Sequence, residues 1–117
     1  MGQLKAHITL ENEMIYTPDT WVVFKVKTPT DEFEKVLAGW SGSYVHGQSY
    51  KINSSIVRTE VNEDHYDFYG HSGSVYRCYF DSYGFNYITR DVWETLIESN
   101  GDEMTVELVE SYNLQNR

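Results

Sequence analysis

Hydrophobic and polar residues alternate with period two along several short stretches of this chain, the pattern of strands with one face on a core. In residues 21–27, Val22, Phe24 and Val26 alternate with Trp21, Val23 and Lys25, which predicts a strand. Residues 6–10 read the same way. Residues 33–40 predict a third strand with Val36, Ala38 and Trp40 on one face. Its opposite face of Phe33, Lys35 and Leu37 is mixed, so both sides can be buried. Ile52, Ile56, Val57, Thr59 and Val61 run into another strand, with Arg58 and Glu60 alternating outward. Residues 66–69, 74–80 and 104–109 complete the set.

Turn chemistry separates these stretches. Thr17-Pro18-Asp19-Thr20 and Thr28-Pro29-Thr30-Asp31 each combine a proline that presets φ with an aspartate that bonds nearby backbone. Asn62-Glu63-Asp64 ends a strand, and Gly70-His71-Ser72-Gly73 is a four-residue hairpin connection, so residues 56–80 read as a three-stranded meander. From Gly39 to Tyr50, glycine and serine mix with rings, which reads as a loop or a bulged strand end. One helix is expected from 89 or 90 to 99, with Thr89 as N-cap, Asp91 complementing the dipole and Gly101 as left-handed C-cap. Its docking stripe is Val92, Trp93, Leu96 and Ile97. The expected fold is α+β: about seven strands in a mostly antiparallel sheet, able to curl toward a barrel, with one late α-helix at about 89–99. The chain reads as a single domain, 1–117, with a frayed tail at 113–117.

Charge narrows the function classes. Eighteen carboxylates against nine lysines and arginines leave a formal charge of −9, which repels nucleic-acid backbones and anionic membrane surfaces. Neither direct nucleic-acid binding nor a membrane association is expected, and no apolar run approaches a membrane span. Acidity aids solubility and also steers toward a basic partner, including a nucleic-acid-binding protein. A single cysteine, Cys78, excludes an internal disulfide, and the first six residues lack the apolar core of a signal peptide; a cytoplasmic location is expected. Oligomeric state is left open.

His65, His71 and Cys78, with Asp64 and Asp67, are metal-ligand types without metal-ligand spacing, so no metal or other cofactor is expected. Cys78 shares its predicted face with Tyr76 and Phe80 and reads as a small buried hydrophobe, with Arg77 pointing the other way. Gly39-x-x-Gly42 and Gly70-x-x-Gly73 lack the lysine of a phosphate loop, and carboxylate pairs such as Asp64 and Asp67 read as solvated charges. A non-enzyme is expected, with no catalytic residue assigned.

Nine aromatic rings lie between Tyr66 and Tyr87. Strand parity sends Tyr76 and Phe80 inward and leaves Tyr69 and Tyr79 outward. On the Gly/Ser scaffold of 40–50, Trp40, Tyr44, His46 and Tyr50 pair rigid aromatic anchors with adaptable polar groups. The partner-binding candidates are therefore Trp40, Tyr44, His46, Tyr50, Tyr69 and His71, with acidic support from Glu63, Asp64 and Asp67. An alternative is a module that sequesters a nucleotide or other small signal molecule between rings, with Lys51, Arg58 and Arg77 as anion contacts. A third is a small hydrolase, which would need a deep pocket around a perturbed acid or base.

The run Val36-Leu37-Ala38-Gly39-Trp40-Ser41-Gly42-Ser43-Tyr44, with Tyr50-Lys51-Ile52-Asn53-Ser54-Ser55-Ile56 and Tyr69-Gly70-His71-Ser72-Gly73-Ser74-Val75-Tyr76, resembles small accessory proteins of tailed bacteriophages. The resemblance brings no catalytic motif. It implies an accessory factor that binds and modulates a host or phage protein in the host cytoplasm.

Overall fold

The computed structural model describes residues 6–8, 14–43 and 47–114. Among the described residues there are nine strands: β1 (Ala6–Ile8), β2 (Met14–Tyr16), β3 (Thr20–Lys27), β4 (Glu32–Ser43), β5 (Gly47–Ile52), β6 (Ile56–Val61), β7 (His65–Gly70), β8 (Val75–Tyr79) and β9 (Thr105–Leu108). One α-helix, α1 (Tyr87–Glu98), precedes β9. The strands form two open sheets, ordered β1-β2-β8-β7-β6 and β5-β4-β3-β9. The α+β, mostly antiparallel reading holds, with the strands divided between two stacked sheets that do not close into a barrel. Pairing is antiparallel except between β2 and β8.

The layering follows from β3 and β4. Trp21, Val22, Val23 and Phe24 are all buried, although successive strand residues face opposite ways. Trp21 and Val23 join Val36, Ala38 and Trp40 against Tyr66, Phe68, Tyr76 and Cys78 of the five-stranded sheet. Val22, Phe24, Val26 and Leu37, with Val106 of β9 beside them, face the other way, against Trp93 of α1. The four-stranded sheet is thus the middle of three layers, which is why its two long strands are apolar on both faces. Each fully buried side chain of this kind contributes about 1.5–3 kcal/mol. Both indole N–H groups find acceptors: Trp21 Nε1 donates to the Tyr79 carbonyl at 2.7 Å and Trp40 Nε1 to that of Thr17 at 3.0 Å.

The expected turns form. Thr28 N donates to Asp31 O at 2.8 Å and Asp31 N to Thr28 Oγ1 at 2.9 Å, closing the β3–β4 hairpin. The 70–73 connection closes β7 onto β8, with Gly70 N bonded to Ser74 O at 2.8 Å and Gly73 at φ +101°, a conformation that favours glycine. The meander β6-β7-β8 follows as read from 56–80.

Several boundaries differ. β2 adds to the expected strands, and within 39–50 the bulged strand of the two expected forms is the one found, with β5 pairing onto β4. Leu37 to Trp40 pair with Ile52 to Ser49, and the register shifts between Trp40 and Ser43, so the small residues permit a bulge rather than end the sheet. The helix begins at Tyr87 and its N-cap is Asn86, not Thr89. Asn86 Oδ1 accepts from Thr89 N at 2.8 Å while Thr89 Oγ1 accepts from Asn86 N at 2.9 Å, a reciprocal capping box. Asp91 therefore lies beyond the first turn. Gly101 has no positive φ; the helix ends at Ser99 in right-handed conformation. Ile97 is exposed, because the stripe facing the sheet runs through Thr89, Val92, Trp93 and Leu96. Of the expected 6–10 strand and 113–117 tail, residues 9–10 and 115–117 lie outside the described residues.

Candidate functional site

The outer face of β6, β7 and β8 carries a continuous array of polar side chains set by strand parity and register. On β7, Tyr66 and Phe68 are in the core, so His65, Asp67 and Tyr69 face outward. On β8, Tyr76 and Cys78 are inward, leaving Arg77 and Tyr79 outward. The pairing then places His65 opposite Tyr79 and Asp67 opposite Arg77. On the other side of β7, Arg58 lies opposite Tyr69 and Glu60 opposite Asp67, after a register shift between Ile56 and Arg58.

These juxtapositions make two linked clusters. In the first, Arg58 sits over the Tyr69 ring, its Cζ 3.9 Å from the centroid. Tyr69 donates its hydroxyl proton to Glu60 at 3.0 Å, and Glu60 is paired with Arg58 at 3.2 Å. In the second, Arg77 grips Asp67 with a two-pronged fork, Nε to Oδ1 at 2.9 Å and Nη2 to Oδ2 at 3.0 Å. His65 extends it: Nδ1 is 2.6 Å from Asp64 Oδ1, Nε2 is 3.7 Å from Asp67 Oδ1, and the ring is 5.1 Å from that of Tyr79.

Burial and pairing set the ionisation of this face. Asp67 is only 5% exposed although it lies on the outer side, so the Arg77 fork compensates its desolvation. The hydrogen bonds that Arg77 donates to Asp67 hold its guanidinium above its ordinary range. Partial burial pushes the Tyr69 phenol up, and the hydrogen bond to Glu60 adds to it, so this hydroxyl stays a donor. Cys78 is on the opposite face, where burial pushes its thiol well up. Among the described residues no group of three His, Cys, Asp or Glu is placed to hold a metal ion.

The sequence-derived candidates are dispersed. Tyr69 and Asp67 are on this face, and Glu63 and Asp64 rim it at the exposed β6–β7 turn. His71 is exposed at the far end of β7, in the turn to β8. Tyr50 is exposed on β5 of the other sheet, beside Val92 and Leu96 of α1. Trp40 is in the core between the sheets, because the strand continues through it and its ring packs at 6.1 Å from Tyr16. Its indole therefore offers no surface to a partner. Tyr44 and His46 lie outside the described residues. Of the three basic candidates, Arg58 and Arg77 belong to the outer face, while Lys51 stands over the Tyr16 ring at 5.5 Å in a cleft between the sheets.

His65, Glu60 and Tyr79 complete the array and were not among the partner-binding candidates. The signal available for them was the short Asn62-Glu63-Asp64 turn, which fixes which residues of β6 and β7 stand opposite. Neither a family model, nor a curated protein, nor a solved structure matches this chain.

Proposed function

We propose that the protein is a non-enzymatic binding module that captures a protein partner on the outer face of β6, β7 and β8. The observation that carries the reading is the Arg58–Tyr69–Glu60 stack, an aromatic ring and a guanidinium held in one geometry on a solvent-facing sheet. Tyr and Arg are the residue types enriched at binding hot spots, and groups ordered before association lose less side-chain freedom on binding. Asp67 and Arg77 tie β7 to β8 beside the stack.

Exposed Glu63 and Asp64 at the rim favour a partner with basic groups there, which fits the acidity of the whole chain. The sequence resemblance to phage accessory proteins supports a host or phage protein met in the cytoplasm as that partner. The test is affinity capture with wild type and an Arg58→Glu/Tyr69→Ala variant, followed by mass spectrometry. A protein retained by wild type and lost by the folded variant supports the reading.

A further inference from the structure

A second surface has different chemistry. Where the two sheets meet, a cleft of about 290 Å³ is lined by side chains from β2, β5, the 53–54 connection, the β7–β8 turn and the start of β8. In a chain with eighteen carboxylates, the described residues of its lining include none; they are Lys51, Asn53, Ser54, Ser72, Ser74 and Tyr76 beside Tyr16 and Ile52. Among the described residues no carboxylate pairs with the Lys51 ammonium, whose contact is the Tyr16 ring.

The decisive group is the Asn53 side chain. Asn53 is 4% exposed, and its Oδ1 accepts from Val36 N at 2.8 Å, which fixes the amide orientation. Its Nδ2 is buried with no acceptor among the described residues. Native interiors seldom leave a donor in this state. A Cβ built on Gly70 would lie 3.5 Å from Asn53 Nδ2 and 3.2 Å from Ser54 Oγ, so this glycine packs closely against both groups. Ser54 Oγ accepts from Ser72 N at 3.0 Å and donates to Ser72 Oγ at 3.3 Å, which leaves the Ser72 hydroxyl proton free to donate onward. Burial keeps the Tyr76 phenol protonated.

We infer that this cleft binds a small oxyanion, a phosphate or carboxylate group, with Lys51 supplying charge and Asn53 Nδ2 and the Ser72 hydroxyl supplying directed hydrogen bonds. Charge-assisted bonds to an anionic oxygen are the strongest partners such donors can find. The volume is at the lower limit of roughly 300–1,000 Å³ for ligand pockets, so the occupant is a small molecule or the anionic end of a larger one. Arg58 and Arg77 take no part, since both are engaged on the outer face.

The test uses inorganic phosphate and acetate as separate probes, with sodium chloride at matched ionic strength as control. Two-dimensional NMR reads the Asn53 side-chain amide and the Ser54 and Ser72 backbone amides directly. Saturable shifts of these signals with phosphate alone identify a phosphate ligand, and with acetate alone a carboxylate ligand; saturation with both supports the shared oxyanion chemistry. Lys51→Met, which keeps the apolar stem over Tyr16, should weaken binding by about tenfold or more, since it removes the one cation among the described lining residues. Gly70→Ala, which places a methyl between Asn53 and Ser54, should weaken it independently of charge. No saturable shift with either probe, shifts equal to those in sodium chloride, or undiminished binding by folded Lys51→Met would each overturn the assignment.

Discussion

Arg58 sits over the ring of Tyr69 with its Cζ 3.9 Å from the centroid, joining the edge strand β6 to β7 through side chains as well as backbone. Tyr69 in turn is tied to Glu60, two residues along the same edge strand. The contact is worth about 0.5–1 kcal/mol at an exposed site, so its main effect is on order rather than stability. Tyr69→Ala should lower stability by no more than about 1–2 kcal/mol in urea unfolding, leaving a folded protein for binding assays.

Asp67 and Arg77 should respond unequally to loss of each other. Arg77 is half-exposed and can turn toward water when Asp67→Asn removes the charge, at a cost of about 1–2 kcal/mol. Asp67 is nearly inaccessible, so Arg77→Met leaves a buried carboxylate without its fork and should cost about 2–3 kcal/mol. Urea unfolding at neutral pH orders the two variants; the opposite order would show that the fork does not compensate burial.

Gly39 controls how closely the helix start approaches the middle sheet. A Cβ there would lie 2.6 Å from Asn86 Nδ2 and 2.8 Å from Thr89 Cγ2, so the capping box would have to shift. Gly39→Ala should cost about 1–3 kcal/mol as overpacking, and Asn86→Ala about 1 kcal/mol as a lost cap. Because the two sites touch, the double variant should be less destabilised than the sum. Thermal unfolding of the three variants checks this.

Alkaline pH should destabilise the fold through Tyr83. Its hydroxyl is buried without an acceptor among the described residues, and burial, aided by Glu110, pushes its phenol up to about 12. An unfolded tyrosine titrates near pH 10. Below that both states hold the proton and the stabilisation is complete. Between about pH 10 and 12 the unfolded state releases it first, so stability falls as pH rises. Tyr83→Phe should flatten this decline in melting temperature over pH 9–12 while leaving neutral stability equal or higher. Parallel curves for variant and wild type would contradict it.

Period-two alternation and turn chemistry made much of the fold legible, down to the 28–31 and 70–73 turns and the meander they close. Trp40 was harder to place because neighbouring Gly39, Ser41 and Gly42 look like loop residues. One of them, Gly39, is small because α1 packs on it. Trp40→Ala should therefore cost about 3–5 kcal/mol and lose binding by unfolding, not by removing a contact. Thr89 was misplaced for a related reason: a capping box has two polar members, and only the pairing geometry says which comes first. Parity exposed Tyr69 and Tyr79, but the site needed register, which joins Glu60, Asp67 and Arg77 across three strands.

The most direct measurement is affinity capture from lysate by wild type, Arg58→Glu/Tyr69→Ala and a control changed at Tyr50 on the other sheet, with circular dichroism confirming that all three are folded. A protein recovered with wild type and the Tyr50 control, and depleted at least about tenfold with the outer-face variant, is the predicted result. Equal recovery by all three, or no specific protein recovered by wild type, would contradict a binding role for the outer face of β6, β7 and β8.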